Sequence, residues 1–229
     1  MKKRLLAVVM IMVMACMMLT GCAKIAPADQ TIDALFDLYV KENALTMKDV
    51  LGFKSEEDVK NAFMKEKSNM DMVKAFKSEL QLAGVSMSDE DFQNLTDAIL
   101  DMLAMTSCTA EVTGDYGDLL EVTLWINGYS DKEINSLMKD AENAMIASIS
   151  EADMLAISDG DMDLFKKYMS NYINDFISGI AELQPLEVPV EVIVDCEKKT
   201  VDSSGKEITA WLPIDMKRFM DDVEAAVFQ

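Results

Sequence analysis

The residues best suited to covalent chemistry in this 229-residue chain are its four cysteines, because a thiolate is a strong nucleophile. Cys22 is distinctive because it follows Gly21 at the end of an apolar segment, Leu5 to Leu19, which begins after three basic residues. A positive start, a short apolar run and small residues are typical of a secretory signal. The run of about 15 residues is shorter than the roughly 20 that a membrane-spanning helix needs.

The run Leu19-Thr20-Gly21-Cys22 resembles the lipobox of bacterial lipoproteins, which are cleaved immediately before the cysteine. The resemblance implies that residues 1–21 are a signal peptide and that Cys22 carries a diacylglyceryl group on its sulfur. Two acyl chains, at about 0.8 kcal/mol per buried methylene, make a stable membrane anchor. We therefore expect residues 22–30 to be a lipidated tether, in which Pro27 disfavours a helix. The folded body should lie outside the cytoplasm, close to the cell membrane.

The absence of histidine narrows the possible chemistry of the chain. It excludes Ser-His-Asp and Cys-His catalysis and any imidazole metal ligand. The sequence also contains no Gly-rich loop of the kind that cradles phosphate groups. We therefore predict no catalytic residue, no metal and no cofactor.

Acidic residues outnumber basic ones by 41 to 21, which gives a formal net charge of −20. Cleavage after Gly21 removes three basic residues and no acid, so the mature net charge is −23. Such a surface repels nucleic acid and anionic lipid, and it favours a soluble monomer. Capture of cations or of basic partners is the functional alternative to a simply solvated acidic surface.

Two groups of acids invite a chemical interpretation. The run Asp159-Gly160-Asp161-Met162-Asp163 suggests calcium, but an EF-hand loop needs Gly at its sixth position and Glu at its twelfth, where Leu164 and Ser170 stand. The start of a helix explains these acids better. Six strand acids could pair on an open sheet face and support glycoside hydrolysis, although a solvated face is the simpler interpretation. They are Glu111, Glu121, Glu187, Glu191, Asp195 and Glu197.

Hydrophobic periodicity predicts an α+β fold. A helical segment over residues 31–106 precedes a sheet-and-helix domain over 107–229, and residues 31–229 could also form one compact unit. Strict alternation predicts one β-hairpin from Cys108 to Ile126 and a second that starts at Leu186 and returns to Leu212. Long helices are expected between the hairpins, and Asp215 should cap a short final helix. The prediction is a four-stranded antiparallel sheet packed on long helices.

Within the helical segment, Met47 to Phe53 is expected to be a connection and Ser55 to cap a second helix. A third helix should bury one stripe of apolar side chains, which consists of Phe92, Leu95, Ile99, Leu100 and Leu103. Between the hairpins, one helix is expected from Asp131 to a break at Ser158, and a second helix should end before Pro185.

Cys108 and Cys196 are an even pair in an exported chain, which makes a disulfide plausible. Both lie on the apolar faces of their strands, so they would meet if the first and third strands paired antiparallel. Such a bridge would stabilise the fold by about 4–5 kcal/mol in the chain-entropy model. Two free buried thiols are the alternative.

Aromatic residues of the strands and of the second long helix could line an apolar cavity between helix and sheet. The residues concerned are Trp125, Tyr168, Tyr172, Phe176 and Trp211. Ordinary core packing is the alternative for all five.

The step Trp211-Leu212-Pro213-Ile214-Asp215, together with the lipobox and the order of elements, resembles a broad group of Gram-positive lipoproteins of unknown function. The resemblance covers roughly residues 107–229. It implies a cystatin-like or nuclear-transport-factor-like domain, in which a bent antiparallel sheet wraps around helices, and it supplies no catalytic residues.

The sequence thus favours a membrane-anchored extracytoplasmic lipoprotein that acts as a non-enzymatic binding module for an envelope protein, a peptide or a cell-wall component. A hydrolase that uses carboxylates alone and a carrier of apolar small ligands are the alternatives. A deep acidic pair would favour the hydrolase, and a closed apolar pocket would favour the carrier.

Overall fold

The computed structural model describes residues 25–64, 88–203 and 205–229. The predicted signal peptide, Cys22 and most of the second predicted helix lie outside these ranges. The described residues form eight α-helices and four β-strands, which agrees with the predicted α+β class. In chain order the elements are α1 (Ala28–Val40), α2 (Ala44–Leu51), α3 (Glu56–Phe63), α4 (Asp89–Ala104), β1 (Ser107–Asp115), β2 (Leu119–Asn127), α5 (Asp131–Ser148), α6 (Glu151–Ser158), α7 (Met162–Glu182), β3 (Val190–Ser203), β4 (Lys206–Pro213) and α8 (Met216–Val227).

The four strands form one antiparallel sheet in the order β1-β2-β3-β4, so both predicted hairpins are confirmed. The first hairpin turns through Gly117, whose φ of 85° suits glycine, and the second through Gly205 at the same φ. The second hairpin begins later than predicted, because the strand starts at Val190 and not at Leu186. Pro189 lacks the N–H that a ladder requires, which accounts for the delay.

The long strand β3 is shared between two neighbours with almost no overlap. Residues 190–197 pair with β2, and residues 196–203 pair with β4. In the first half the even-numbered side chains Val192, Val194 and Cys196 are buried. In the second half the odd-numbered residues lie opposite the buried Ile208, Ala210 and Leu212. Directly opposed residues share a face of a sheet, so the two halves of β3 turn opposite faces to the core.

Helix α1 is the most deeply buried helix that the structure describes. Eight of its 13 residues are buried, and they surround the helix instead of forming one stripe. It packs against β1, β2, β4 and α2, which explains why apolar residues occur all round it. Its side chains join those of the sheet in one hydrophobic cluster, which therefore includes residues from both sides of the predicted boundary at residue 107.

Two short helices follow α1, and the first of them overlaps the predicted connection. Asn43 caps α2 by accepting a hydrogen bond from the backbone N–H of Leu45, and Gly52 ends the helix in the left-handed conformation at φ 72°. The segment from Met47 to Phe53, interpreted as a link, is therefore helical up to Leu51. Ser55 caps α3, as the sequence predicted.

Helices α4 to α7 form a second group. Helix α7 packs against α4, α5 and α6, and Gly179 gives α5 room to approach because a Cβ there would meet the side chain of Leu137. The long helix expected from residue 131 to the break at 158 is divided. The first part, α5, ends at Ser148, and Ser150 caps α6 by accepting from the N–H of Asp153.

The C-terminus connects the two groups. The chain passes so close at Gly128 that a Cβ there would collide with the carbonyl oxygen of Val227. Tyr129 exchanges backbone hydrogen bonds with this terminal segment, and its buried hydroxyl donates to the carbonyl oxygen of Met102, at 2.6 Å. Asp215 caps α8, as predicted, by accepting from the N–H of Arg218.

The structure corrects the length of the predicted tether. Helix α1 begins at Ala28, and the side chain of Ala28 is buried. Pro27 stands at the N-cap position just before the helix, where its missing N–H costs nothing. The predicted tether can therefore extend no further than residue 27, and not to residue 30.

The structure also corrects the predicted disulfide. Cys108 and Cys196 are free and face the same side of the sheet, but β2 separates their strands. On β2 their partners are Ile126 and Leu120, six residues apart, which places the thiols about 20 Å from each other. A disulfide needs Cα atoms within about 7 Å.

Candidate functional site

The five aromatic residues predicted to line one cavity are dispersed. Trp125 on β2 has Thr109 of β1 and Glu191 of β3 as its cross-strand neighbours. It lies on the opposite face of the sheet from the buried Leu124 and Ile126. Trp211 lies on β4 under the ammonium of Lys198, whose Nζ is 4.7 Å from the ring centroid. These two positions do not converge with the aromatic residues of α7. The predicted cavity is therefore wrong.

The aromatic residues of α7 serve packing and local hydrogen bonding. Phe176 is buried in the hydrophobic cluster, and Tyr172 packs at its margin. The hydroxyl of Tyr168 donates to Asp153 at 2.7 Å and so fastens α6 to α7. This hydrogen bond raises the pKa of Tyr168 and lowers the pKa of Asp153, because it favours the proton on the phenol.

The strand acids do not converge in a cleft. Glu121 and Asp195 are directly opposed on β2 and β3, but Asp195 is exposed and Glu121 accepts a hydrogen bond from Thr113 at 3.0 Å. Glu197 pairs with Lys199, with 3.2 Å between Oε1 and Nζ. Glu187 precedes β3 altogether.

Metal binding receives no support from the described ranges. Within them, no three Cys, Asp or Glu side chains are grouped to hold a metal ion. Asp161 instead caps α7 by accepting from the N–H of Leu164 at 3.0 Å, and Asp163 lies in the first turn. The interpretation of this acidic run as a helix start is confirmed.

The two thiols are poor nucleophiles. Burial raises the pKa of Cys196 to about 12, and the neighbouring Asp195 adds to the effect. Burial also raises the pKa of Cys108 to about 12, with a further contribution from Asp33 on α1. A thiol reacts as its thiolate, so neither residue is suited to catalysis at neutral pH.

The structure brings together a different set of residues, in an open groove between α4 and α7 with a volume of about 550 Å³. Its floor is apolar and its banks carry carboxylates and amides. By the floor we mean the apolar lining, of which Met102 and Ile180 are buried and Met105 and Ala181 are exposed, and by the banks we mean the polar lining. The floor consists of Ala98, Met102, Met105, Ile177, Ile180 and Ala181, and the banks of Asn94, Asp97, Asp101 and Asn174. We call this feature the α4–α7 groove.

Helical geometry explains how the α4–α7 groove forms. Asp97 and Asp101 are four residues apart on α4, so they stand one above the other along one bank. Ile177 and Ala181 have the same spacing on α7. Met102 is nearly buried in the floor and its carbonyl is held by Tyr129, whereas Met105 is 43% exposed where α4 ends.

Sequence reasoning missed this site. The predicted buried stripe of α4 included Leu95 and Leu103, which are buried, but it left out Met102. The overlooked signal is that apolar residues of α4 occupy more than one face, since Ala98, Met102 and Met105 recur beside the core positions. A helix with two apolar faces needs a second neighbour or leaves one face open.

The fold resembles that of a solved protein. The crystal structure titled "putative lipoprotein (ycdA)" from Bacillus subtilis superposes on 92% of this chain with a TM-score of 0.56 at 14% sequence identity. The chain spans 59% of that protein's length. Identity this low establishes a shared fold alone. No protein-family model matches the sequence, and no curated protein is significantly similar to it.

Among the helices of residues 25–64, 88–203 and 205–229, none combines the length and the apolarity that a bilayer crossing needs.

Proposed function

We propose that this chain is a lipid-anchored protein on the outer side of the cell membrane, where it acts as a non-enzymatic binding module through the α4–α7 groove. The observation that supports the lipid anchor is the run Leu19-Thr20-Gly21-Cys22, which follows a basic start and a short apolar segment. The fold shared with a protein described as a putative lipoprotein supports the same assignment.

The start of α1 supports an anchor that holds the body close to the bilayer. The six residue steps from Cys22 to the buried Ala28 span at most about 20 Å when extended. The net charge of −23 on the mature chain opposes contact with anionic headgroups. The tether therefore keeps the body near the surface without requiring that it lie on the lipid.

A binding role agrees with the chemistry available to the chain. Histidine is absent, both described thiols have raised pKa values, and the strand acids lie on an open face. The α4–α7 groove offers apolar contact area with polar banks, which is typical of recognition surfaces.

Mass spectrometry of the N-terminal peptide tests the anchor. We expect a chain that begins at Cys22 and carries the mass of a diacylglyceryl group, and we expect membrane fractions to retain it. Cys22→Ala should abolish both properties, whereas Cys16→Ala is the matched control and should leave both unchanged. An uncleaved start, or an unmodified thiol at position 22, would contradict the proposal.

The binding role is tested separately in the membrane. A photo-crosslinking amino acid at position 181, on the floor of the α4–α7 groove, should capture a discrete partner in intact cells. The same reagent at exposed position 144 on α5 is the control. Equal capture at both positions would show that the groove is not a recognition surface.

A further inference from the structure

We infer that the α4–α7 groove binds an amphipathic helix of a partner protein, one that carries an apolar stripe flanked by a row of Lys or Arg. The inference rests on the proposed binding role but not on the lipid anchor. It names the partner's chemistry, which the binding role alone leaves open.

The length and shape of the groove fit a short helix. Its lining residues on α4 run from Asn94 to Met105, which at 1.5 Å per residue is about 16 Å, or three helical turns. An apolar face that enters such a groove uses side chains at i, i+3 or i+4, and i+7. The volume of about 550 Å³ lies within the range of ordinary ligand sites.

The floor offers adaptable apolar contacts on a fixed support. Met102 is anchored through its backbone to the buried Tyr129, so this part of the floor belongs to the rigid body. Met105 is exposed beside it, and flexible thioether side chains are frequent on surfaces that accept partner helices. Ala98 and Ala181 are small, which leaves room for the larger side chains of an incoming helix.

The banks determine the charge of the partner. Asp97 and Asp101 line the α4 side, and Asp97 already accepts a hydrogen bond from Gln93 at 2.8 Å. The α7 side is neutral at Asn174. A helix in the groove would therefore gain from basic side chains along its α4 edge, and acidic ones there would be repelled.

The same charges disfavour the other occupants. An anionic membrane would meet the acidic bank, and the mature chain as a whole carries −23. A symmetric contact with a second copy through this groove would place two acidic banks in one interface, which like charges disfavour. An apolar small molecule would remain exposed along one side, because the groove that the described residues form is open.

A titration with defined peptides tests the inference on the full chain. The chain is purified from expressing cells and placed in neutral phosphatidylcholine nanodiscs, or used in solution if it carries no lipid. The probe is a labelled 18-residue helix of Leu, Ala and Lys with one apolar stripe and Lys along one edge. Two matched peptides are a scramble of the same composition and a version with Glu in place of Lys. Binding is followed by fluorescence anisotropy.

We expect the amphipathic basic peptide to bind at least tenfold more tightly than either matched peptide. Ala181→Trp fills the groove and should weaken binding at least tenfold, whereas Ala144→Trp, at an exposed position on α5, should leave the Kd unchanged. Asp97→Asn with Asp101→Asn should weaken binding about three- to tenfold, because exposed ion pairs contribute little each. Raising the salt concentration should have a similar effect.

Three results would overturn the inference. The first is equal binding of the scrambled peptide, and the second is a Kd that Ala181→Trp does not change. The third is a cross-link in the free protein from position 181 to residues 65–87 of the same chain or to a second copy. Loss of the anchor alone would change none of these measurements, so a failure of the proposed localisation is distinguishable from a failure here.

Discussion

Helices α1 and α6 have similar apolar content, but α1 buries most of its residues and α6 buries none. Eight of the 13 residues of α1 are buried, whereas none of the eight residues of α6 is, although α6 contains Met154, Leu155 and Ile157. Helix α1 is enclosed by three strands and α2, whereas α6 packs on α7 alone among the neighbours with substantial contact. The comparison teaches that the number of packed neighbours, and not local hydrophobicity, decides which apolar residues enter the core.

The contrast extends to the surrounding regions. Helix α5 buries one of its 18 residues, Ala141, whereas β2 in the centre of the sheet has Val122, Leu124 and Ile126 without exposed surface. We therefore expect the sheet region around α1 to carry most of the free energy of unfolding. The helices α5 and α6 should tolerate substitution, which suits a region beside a binding surface.

The largest expected effect comes from truncating the core of α1. Phe36→Ala removes a fully buried ring and should lower the free energy of unfolding by about 3–5 kcal/mol. Leu155→Ala on α6 is the matched control and should change it by less than about 0.5 kcal/mol, because Leu155 is 64% exposed. Urea unfolding followed by circular dichroism measures both. Similar losses for the two variants would refute the contrast.

Thiol reactivity also distinguishes the buried sheet from the exposed helix α6. Burial raises the pKa of Cys108 and of Cys196 from 9.0 to about 12, so at pH 8 their thiolate population falls about a thousandfold. Leu155→Cys adds an exposed thiol, which we expect to react with a disulfide reagent about a thousandfold faster than the two native thiols. In a chain of residues 23–229, which lacks Cys16 and Cys22, all three thiols should react at the same rate after denaturation. If only the added thiol reacted after denaturation, the native cysteines would be bridged.

The same thiols give a pH dependence. In the unfolded chain they ionise near pH 9, whereas in the folded chain they keep their protons until about pH 12. The unfolded state therefore binds fewer protons in this window, and the free energy of unfolding should fall as pH rises from 9 towards 12. Urea unfolding at pH 8 and pH 10.5 measures the fall, which should become smaller in Cys196→Ala.

A smaller effect is expected where the two regions meet. Tyr129→Phe removes the hydroxyl that donates to the carbonyl oxygen of Met102, which then keeps only its hydrogen bond from the N–H of Met105, at a cost of about 0.5–1.5 kcal/mol. Tyr116→Phe in the turn of the first hairpin is the control, because Tyr116 is 70% exposed, and it should change the free energy of unfolding by less than about 0.5 kcal/mol. An unchanged stability of Tyr129→Phe would show that this junction contributes little.

Much of the local structure was predictable because its signals are local. Alternating side chains and turn glycines located both hairpins, and Asp215 located the last helix. The break at Ser150 and the helix between Asn43 and Gly52 also had local signals, in the form of a cap residue and a left-handed glycine. Apolar spacing that continued across Ser150 obscured the break, and Gly52 was interpreted as part of a connection.

The candidate site was much less predictable. The expected cavity required the aromatic residues of α7 to face the two tryptophans of the sheet, but α7 packs mainly on α4, α5 and α6. The expected disulfide required β1 beside β3, but β2 lies between them. Neither arrangement can be derived from periodicity, because alternation fixes the face of a residue and not the neighbour of its strand.

The sequence by itself determined the class of elements, the acidic and histidine-free composition, and the lipobox-like run that motivates the proposed anchor, because each is a property of consecutive residues. Tertiary structure alone decided the strand order, the switch of faces within β3 and the α4–α7 groove. These depend on which surfaces meet between segments far apart in the chain, and the groove forms where α4 and α7 lie side by side with no other described segment over them.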